Sequence, residues 1–283
     1  MYVEFEEKQF EVKINAELMF CKNIYSPGQM LENTVGFDAA IFTKNGKFWK
    51  IFPEYFDVLH RMFHFYLDGF YLEPSFWDKL QNEIDEFPSI KYNLVIQYKR
   101  PEYLSNKRAT EWRFWNKSYF RYNLMIHQQS ALEELEKQMK NKCLALYASP
   151  AFNSKKELWE YSKNGRLIEK TNFCLVSMLK SHGKYTYTEG GRKGIGFSEP
   201  EEIEKISFDK INESVSKYEE ASNSNIIYNL SEVAKRIIIS QIGEDNYSGY
   251  LQEGRSIENK LFIALYDIKL FEYLFNCEVK YAY

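Results

Sequence analysis

The clearest hydrophobic pattern in the chain is the run YNLVIQYK at 92–99, which is rich in branched and aromatic side chains and is followed by Pro101. A run of this kind is typical of a strand that is buried on both faces of a sheet. Two similar runs, VGFDAAIF at 35–42 and CLALYASPAF at 143–152, predict two further strands. An Asn45-Gly46 pair between VGFDAAIF and FWKIF indicates a β-hairpin, because both turn residues tolerate positive φ.

Helical periodicity appears on both sides of these strands. Ile14, Leu18 and Cys21 share one face of a helix predicted over about residues 11–24, and HQQSALEELEKQMKN at 127–141 carries a second apolar face. The first half of the chain therefore has the order helix, hairpin, strand, helix, strand. Residues at about 53–91 are aromatic and amphipathic, and we interpret them as a helical insertion before the strand at 92–99.

The second half has a different pattern. Strands are predicted near 171–180 and 184–188, then a Gly-rich turn region, and helices near 199–221, 227–241 and 256–276. We expect an α/β core over residues 1–150 and a C-terminal extension over 151–283 that packs on it. That extension could bind a protein partner or form the interface of a homo-oligomer.

Composition excludes several classes of protein. The 283 residues are 45% hydrophobic and 27% charged, which is ordinary for a soluble globular protein. The segment MYVEFEEKQF lacks the basic and apolar regions of an export signal, and no segment has about 18 uninterrupted apolar residues, so we expect a cytoplasmic protein and no membrane partner. The four cysteines are scattered, which argues against disulfides and a Cys-rich zinc site.

Net charge gives no overall attraction to nucleic acid, because it is −3. A local basic segment at 99–121, interleaved with aromatic residues, could still neutralise phosphates and stack on bases. Its candidate nucleic-acid contacts are Lys99, Arg100, Lys107, Arg108 and Arg113. The alternative interpretation is a solvated loop anchored by its aromatic side chains.

Polar residues interrupt two of the predicted strands. Gln97 and Lys99 lie at i and i+2 and share a face, and Asp38 lies inside VGFDAAIF. Burying an unpaired charge is unfavourable, so the simplest arrangement makes these strands neighbours and directs Asp38, Gln97 and Lys99 into one polar pocket.

These residues resemble the signature of the PD-(D/E)xK nuclease superfamily, whose restriction-endonuclease-like core has the order α-β-β-β-α-β around a mixed central sheet. Asp38 would be the acid at the hairpin, and Gln97-Tyr98-Lys99 would stand for the acid-x-Lys triplet on the third strand. An acidic residue on the first helix often joins this site, and Glu17 lies 21 positions before Asp38 (38 − 17). Glu32 competes with Glu17 for that role.

The resemblance implies a nuclease dependent on Mg²⁺ or Mn²⁺ that hydrolyses phosphodiester bonds in DNA, acting in defence against phage or foreign DNA, and RNA stays open as an alternative substrate. Asp38, Gln97 and the Tyr98 carbonyl would bind the metal, and Glu17 or Glu32 would bind a second ion or a metal-bound water. Lys99 would orient the attacking water and offset transition-state charge. Gln128 or Gln129, on the second helix, would hold the phosphate or Lys99.

The Gln at position 97 departs from the family pattern. An amide oxygen still binds metal, but the lost negative charge weakens affinity for a hard cation. Two alternatives therefore remain open. One is a weak or inactive nuclease-fold module that binds nucleic acid or a partner protein, and the other is an unrelated α/β ligand-binding protein.

Overall fold

A computed structural model of the protein describes residues 1–25, 78, 81–82, 84–191, 193–204, 210, 213, 215–219, 221–251 and 260–283. The chain forms two compact units. Unit one contains residues 1–26, 90–220 and 272–283, and unit two contains residues 27–89 and 221–271.

The helices in the described ranges are α1 (Glu7–Lys22), α2 (Trp112–Trp115), α3 (Ile126–Met139), α4 (Lys155–Lys163), α5 (Asn223–Ile242), α6 (Glu244–Leu251) and α7 (Lys260–Phe275). The strands are β1 (Ile24–Tyr25), β2 (Tyr92–Tyr98), β3 (Glu102–Leu104), β4 (Tyr119–Asn123), β5 (Cys143–Pro150), β6 (Thr171–Leu175), β7 (Lys184–Tyr187), β8 (Gly194–Phe197), β9 (Glu201–Ile203) and β10 (Glu278–Ala282).

The first sheet of unit one has the order β1-β10-β2-β5-β6. β2 and β5 are parallel and are connected through α3, whereas the other neighbours in this sheet are antiparallel. Every residue of β2 is buried, which explains why its sequence is apolar almost throughout. The predicted strand-helix-strand unit and the α/β class are confirmed.

Two helices cover opposite faces of this sheet. Phe10 on α1 contacts Tyr98 with ring centroids 6.1 Å apart, and Ile14 and Leu18 are buried on the same helix. On the other face, Gln129 of α3 accepts a hydrogen bond from the Tyr147 hydroxyl. The alternation of side chains along β2 therefore directs Tyr98 toward α1 and Gln97 toward α3.

The predicted pairing of the strand at 92–99 with the hairpin strand is wrong for β2. One edge of β2 is paired with β10, from Tyr92↔Ala282 to Ile96↔Glu278, and the other edge is paired with β5. A strand has only two hydrogen-bonding edges, so β10 takes the place that the restriction-endonuclease-like order gives to the hairpin. The hairpin itself, at about 35–52, and most of the insertion at 53–91 lie outside the described residues.

The second sheet of unit one is an antiparallel meander with the order β3-β4-β7-β8-β9. It packs on the first sheet through tyrosines: the rings of Tyr122 and Tyr147 lie 5.8 Å apart, and the Tyr187 hydroxyl donates to Ser149 Oγ at 2.7 Å. The strand predicted near 184–188 is present as β7, but the one predicted near 171–180 ends at Leu175, where Val176–Leu179 forms a short 3-10 helix. The helix predicted near 199–221 begins instead as β9.

The units do not follow the predicted division at residue 150. β6 pairs directly with β5, from Leu146↔Leu175 to Pro150↔Thr171, so the chain continues in the same sheet beyond that position. Unit two contains α5, α6 and most of α7, which agree with the helices predicted near 227–241 and 256–276.

Within the described ranges, none of the helices has both the length and the apolar character needed to cross a bilayer.

Candidate functional site

Gln97 lies near the C-terminal end of β2 and is fully buried. Its amide nitrogen donates to Gln128 Oε1 at 2.6 Å, to the Phe275 carbonyl at 2.9 Å and to the Asn276 carbonyl at 3.2 Å. Its amide oxygen is also buried and has no hydrogen-bond partner among the described residues. A buried acceptor without a donor is unfavourable, so this oxygen would be stabilised by a cation or by a donor on a ligand.

Lys99 follows two residues later, and its backbone is fixed by the neighbouring strand. Its amide donates to the Ala148 carbonyl at 3.0 Å, and its carbonyl accepts from Ser149 Oγ at 3.0 Å. The ammonium nitrogen lies 5.4 Å from the centroid of the Tyr147 ring. Burial lowers the pKa of Lys99 to about 8, although attraction to Glu7 opposes the change. This amine can therefore gain or lose a proton close to neutral pH.

Glu7, the first residue of α1, supplies the negative charge that acts on Lys99. Its Oε2 accepts from the Arg100 amide at 3.1 Å, and its Oε1 accepts from Asn276 Nδ2 at 3.5 Å. Burial raises the pKa of Glu7, whereas the charge of Lys99 and the Arg100 amide act in the opposite direction. Asn276 also accepts from Gln97, so one residue connects the carboxylate and the amide.

The two glutamines at the start of α3 have different surroundings. Gln128 is partly exposed and receives the hydrogen bond from Gln97. Gln129 is buried, donates to Glu133 and to the Val176 carbonyl, and accepts from Tyr147. Both polar ends of Gln129 are thus occupied within the fold, and Gln128 is the glutamine that belongs to the site.

Glu17 does not lie with Gln97 and Lys99. Its two carboxylate oxygens accept from the backbone amides of Leu167 and Ile168, at 2.8 and 3.0 Å. It lies ten residues after Glu7 on α1, which places the two carboxylates about 15 Å apart along the helix. Glu17 holds the turn before β6, and the helix carboxylate at the site is Glu7.

The remaining predicted metal ligands cannot all be located. Asp38 and Glu32 lie outside the described residues. The predicted ligand at Tyr98 is its backbone carbonyl, at the end of β2, and the contact of its side chain with Asn15 does not test that prediction. Within the described ranges, no group of three or more His, Cys, Asp or Glu side chains is arranged to hold a metal ion.

The basic segment at 99–121 is not a loop, because it contains β3, α2 and the start of β4. Some of its cations are neutralised within the fold: Arg100 binds Glu6 at 2.7 Å, and Arg121 binds Glu102 and Glu111. Those that remain exposed and form no ion pair with a described carboxylate are Lys107, Arg108 and Arg113. The surface available to an anionic ligand is therefore smaller than the sequence predicts.

Sequence analysis missed Glu7 and Asn276. A carboxylate in the first turn of a helix is favoured by the helix dipole, so Glu7 carries no local sign of a functional role. Asn276 has a left-handed backbone, with φ 48, which is common for the residue after a helix and so also has a local explanation. Only the packing of α1 and of the residues that end α7 against the end of β2 brings them to Lys99 and Gln97.

Comparison with known proteins gives no match to the chain among protein-family models, curated proteins or solved structures. The resemblance to the PD-(D/E)xK superfamily therefore depends on Gln97-Tyr98-Lys99 and on the order of the elements around it. The features that a function must explain are a half-buried lysine, a buried amide oxygen without a partner among the described residues and a half-buried carboxylate at one end of β2.

Proposed function

We propose that the protein is a metal-dependent nuclease of the PD-(D/E)xK type, and that the end of β2 is its active site. The observation that carries the proposal is the position of Lys99, a half-buried amine with a pKa of about 8, two residues after Gln97, whose amide oxygen has no partner among the described residues. Gln97 lies on the first strand of a parallel strand-helix-strand unit and Lys99 directly follows that strand, which supports the same assignment.

The oxygen donors at this site suit a hard divalent cation. Gln97 Oε1 is a buried acceptor that lacks a donor, and carboxylate and amide oxygens are the ligands that Mg²⁺ and Mn²⁺ prefer. Gln97 would bind the ion, with Glu7 in place of Glu17 as the helix carboxylate, whereas Asp38 lies outside the described residues and stays a predicted ligand. A bound ion would supply a water of lowered pKa and would polarise the phosphate.

Lys99 would act on the phosphate through its ammonium group. At neutral pH most of this amine is protonated, because its pKa is about 8. A partly desolvated ammonium interacts strongly with an anion, so it would stabilise the charge that develops on a phosphoryl oxygen. Glu7 would keep enough negative charge beside the amine to hold its proton.

Gln128 and Asn276 would position the amide of Gln97. Both accept hydrogen bonds from its nitrogen. These bonds fix the orientation of the amide, so that its oxygen points away from the two acceptors. A fixed amide oxygen can bind a cation without first reorganising, which is what an active site requires.

One observation favours a second candidate, a nuclease-fold module that binds nucleic acid or a partner protein without cleaving. The three hydrogen bonds from the Gln97 nitrogen tie β2 to α3 and to the end of α7, so this residue also has a structural role. A glutamine kept for that role would explain why the acid of the family pattern is absent.

Replacement of Gln97 by glutamate separates the two candidates. Glutamate adds a charged oxygen ligand, so in an active nuclease Gln97→Glu should tighten Mn²⁺ binding in calorimetry and should retain cleavage of DNA. In a binding module, wild-type protein should cleave neither DNA nor RNA, while Gln97→Glu gains cleavage. If neither protein binds metal or cleaves any of these substrates, the nuclease proposal fails.

A further inference from the structure

A groove on the surface of unit one lies between α1 and α4 and has a volume of about 380 Å³. Its apolar lining comes from Val12, Leu158 and Trp159, and its basic rim comes from Lys8, Lys13 and Lys155. None of these residues takes part in the proposed active site. Glu7 of that site is, however, the residue immediately before Lys8 on α1.

The apolar lining is unusually open to solvent. Trp159 is 65% exposed and Val12 is 62% exposed, although both are large apolar side chains on the middle of a helix. Leu158 is buried and anchors α4, so the exposure of its neighbour is not a sign of a poorly packed helix. Exposed aromatic surface in a groove is typical of a binding site.

The rim carries positive charge that the described residues do not neutralise. The ammonium of Lys13 lies 3.6 Å from the centroid of the Trp159 ring, and Lys155 precedes Trp159 by one helical turn. Neither lysine forms an ion pair with a carboxylate in the described ranges, whereas Lys8 binds Glu11 and Glu278. The carboxylate of Glu4 accepts from the Lys155 backbone amide and is the acidic group at this end of the groove.

We propose that this groove binds a single strand of nucleic acid, with a base stacked on Trp159 and phosphates held by Lys13 and Lys155. The inference rests on the proposed nuclease function, which supplies the class of substrate. Every base presents an aromatic face and every nucleotide carries a negative charge, so such a strand matches both an exposed indole and the two ammonium groups beside it that form no ion pair with a described carboxylate. An acidic peptide would match the charge alone.

The groove also lies where a strand leaving the active site could reach it. Lys13 is six residues after Glu7 on α1, a distance of about 9 Å along the helix axis. A strand bound at Lys99 could therefore continue along α1 to Trp159. The groove would hold single-stranded substrate outside the residues that carry out cleavage.

Anisotropy of a short fluorescein-labelled single-stranded DNA tests this inference. The measurement is made with chelator present, so binding is observed without cleavage. Trp159→Ala should weaken binding roughly tenfold or more, the range found when one stacked base is lost. Trp159→Phe should keep most of the affinity, and Phe20→Ala, an exposed aromatic residue on α1 outside the groove, should bind like wild type.

The salt dependence of the same binding tests the lysines. Each phosphate contact on a single strand contributes about 0.7 to the slope of log affinity against log salt, so Lys13→Gln with Lys155→Gln should reduce the slope by about 1.4. Lys137→Gln with Lys193→Gln removes the same charge from two exposed lysines that are paired with Glu134 and Glu202, and it should leave the slope unchanged.

The inference is overturned if Trp159→Ala and the double variant Lys13→Gln with Lys155→Gln both bind the oligonucleotide with wild-type affinity. It is also overturned if the protein binds a polyglutamate peptide and does not bind the oligonucleotide. The outcomes distinguish a failure of the groove from a failure of the nuclease proposal. If binding depends on Trp159 but wild type cleaves no DNA, the groove is supported and the nuclease proposal fails. If wild type cleaves DNA but Trp159→Ala leaves binding unchanged, the nuclease proposal is supported and the groove is not the binding site.

Discussion

Replacing Lys99 by methionine should make the folded protein more stable near neutral pH. Burial lowers the pKa of this lysine from 10.5 to about 8. At about 1.4 kcal/mol per pH unit, this difference costs the folded state about 3 kcal/mol when the amine is charged. Lys99 is partly exposed, so solvent screening reduces the cost, and we expect Lys99→Met to gain about 2 kcal/mol.

The gain should depend on pH in a defined direction. Between about pH 8 and 10.5 the unfolded chain keeps the proton that the folded protein has lost, so the free energy of unfolding of wild type rises with pH in this window. The advantage of Lys99→Met should therefore be full near pH 7 and fall below about 1 kcal/mol near pH 10. Packing changes caused by the methionine cancel in this comparison between two pH values.

Urea denaturation followed by circular dichroism at a series of pH values measures this effect. Lys142→Met is the matched control, because Lys142 is also half-buried and lies 4.7 Å from the centroid of a tyrosine ring, that of Tyr218. The difference between the gains near pH 7 and near pH 10 should be larger for Lys99 than for Lys142. A Lys99→Met protein that is less stable than wild type at neutral pH would refute the reasoning.

Three further predictions follow from contacts at and near the site. Glu7→Gln removes the negative charge that favours the protonated amine, so the pKa of Lys99 should fall below about 8 in a lysine NMR titration, and an unchanged value would exclude the contact. Glu17→Ala should lower the free energy of unfolding, measured by thermal denaturation, by about 1–3 kcal/mol because two backbone amides lose their acceptors, and DNA cleavage should persist. Loss of cleavage without loss of stability would show that Glu17 belongs to the active site. Tyr281→Ala, in the buried centre of β10, should cost about 3–5 kcal/mol and raise hydrogen exchange along β2, whereas a neutral effect would argue against the β10–β2 pairing.

Strong local patterns made several elements predictable. β2 and β5 are nearly continuous apolar runs, and the apolar spacing of Leu132, Leu135 and Met139 identifies the face that α3 buries. The parallel pairing follows once a helix connects two such strands. Polar residues inside β2 were equally visible, so Gln97 and Lys99 could be selected before their neighbours were known.

β10 could not be predicted in the same way. It has five residues, follows directly on α7, and pairs with a strand about 180 positions earlier in the chain. Sequence pattern gives no register for pairing at that distance, since any short strand could fill the open edge. The hairpin at 35–52 was the nearer candidate, which is why the sequence favoured it.

The identity of the helix carboxylate was also beyond the sequence. Glu7 and Glu17 are both surface-compatible residues on α1, and spacing from Asp38 favoured Glu17. The choice depends on which end of α1 lies against the end of β2 and which end lies against the turn at Leu167 and Ile168. That arrangement is set by the packing of Phe10, Ile14 and Leu18, not by the charged residues themselves.

The most direct test of the proposed active site is single-turnover cleavage of labelled DNA with Mg²⁺ or Mn²⁺ by wild type, Lys99→Met and Lys142→Met. Wild type and Lys142→Met should cleave at the same rate and stop when chelator is added. Lys99→Met should lose at least about a hundredfold in rate, the usual effect of removing a group that stabilises transition-state charge, while remaining folded. Equal cleavage by wild type and Lys99→Met would contradict the assignment of this lysine, and with it the assignment of the end of β2 as the site of phosphodiester hydrolysis.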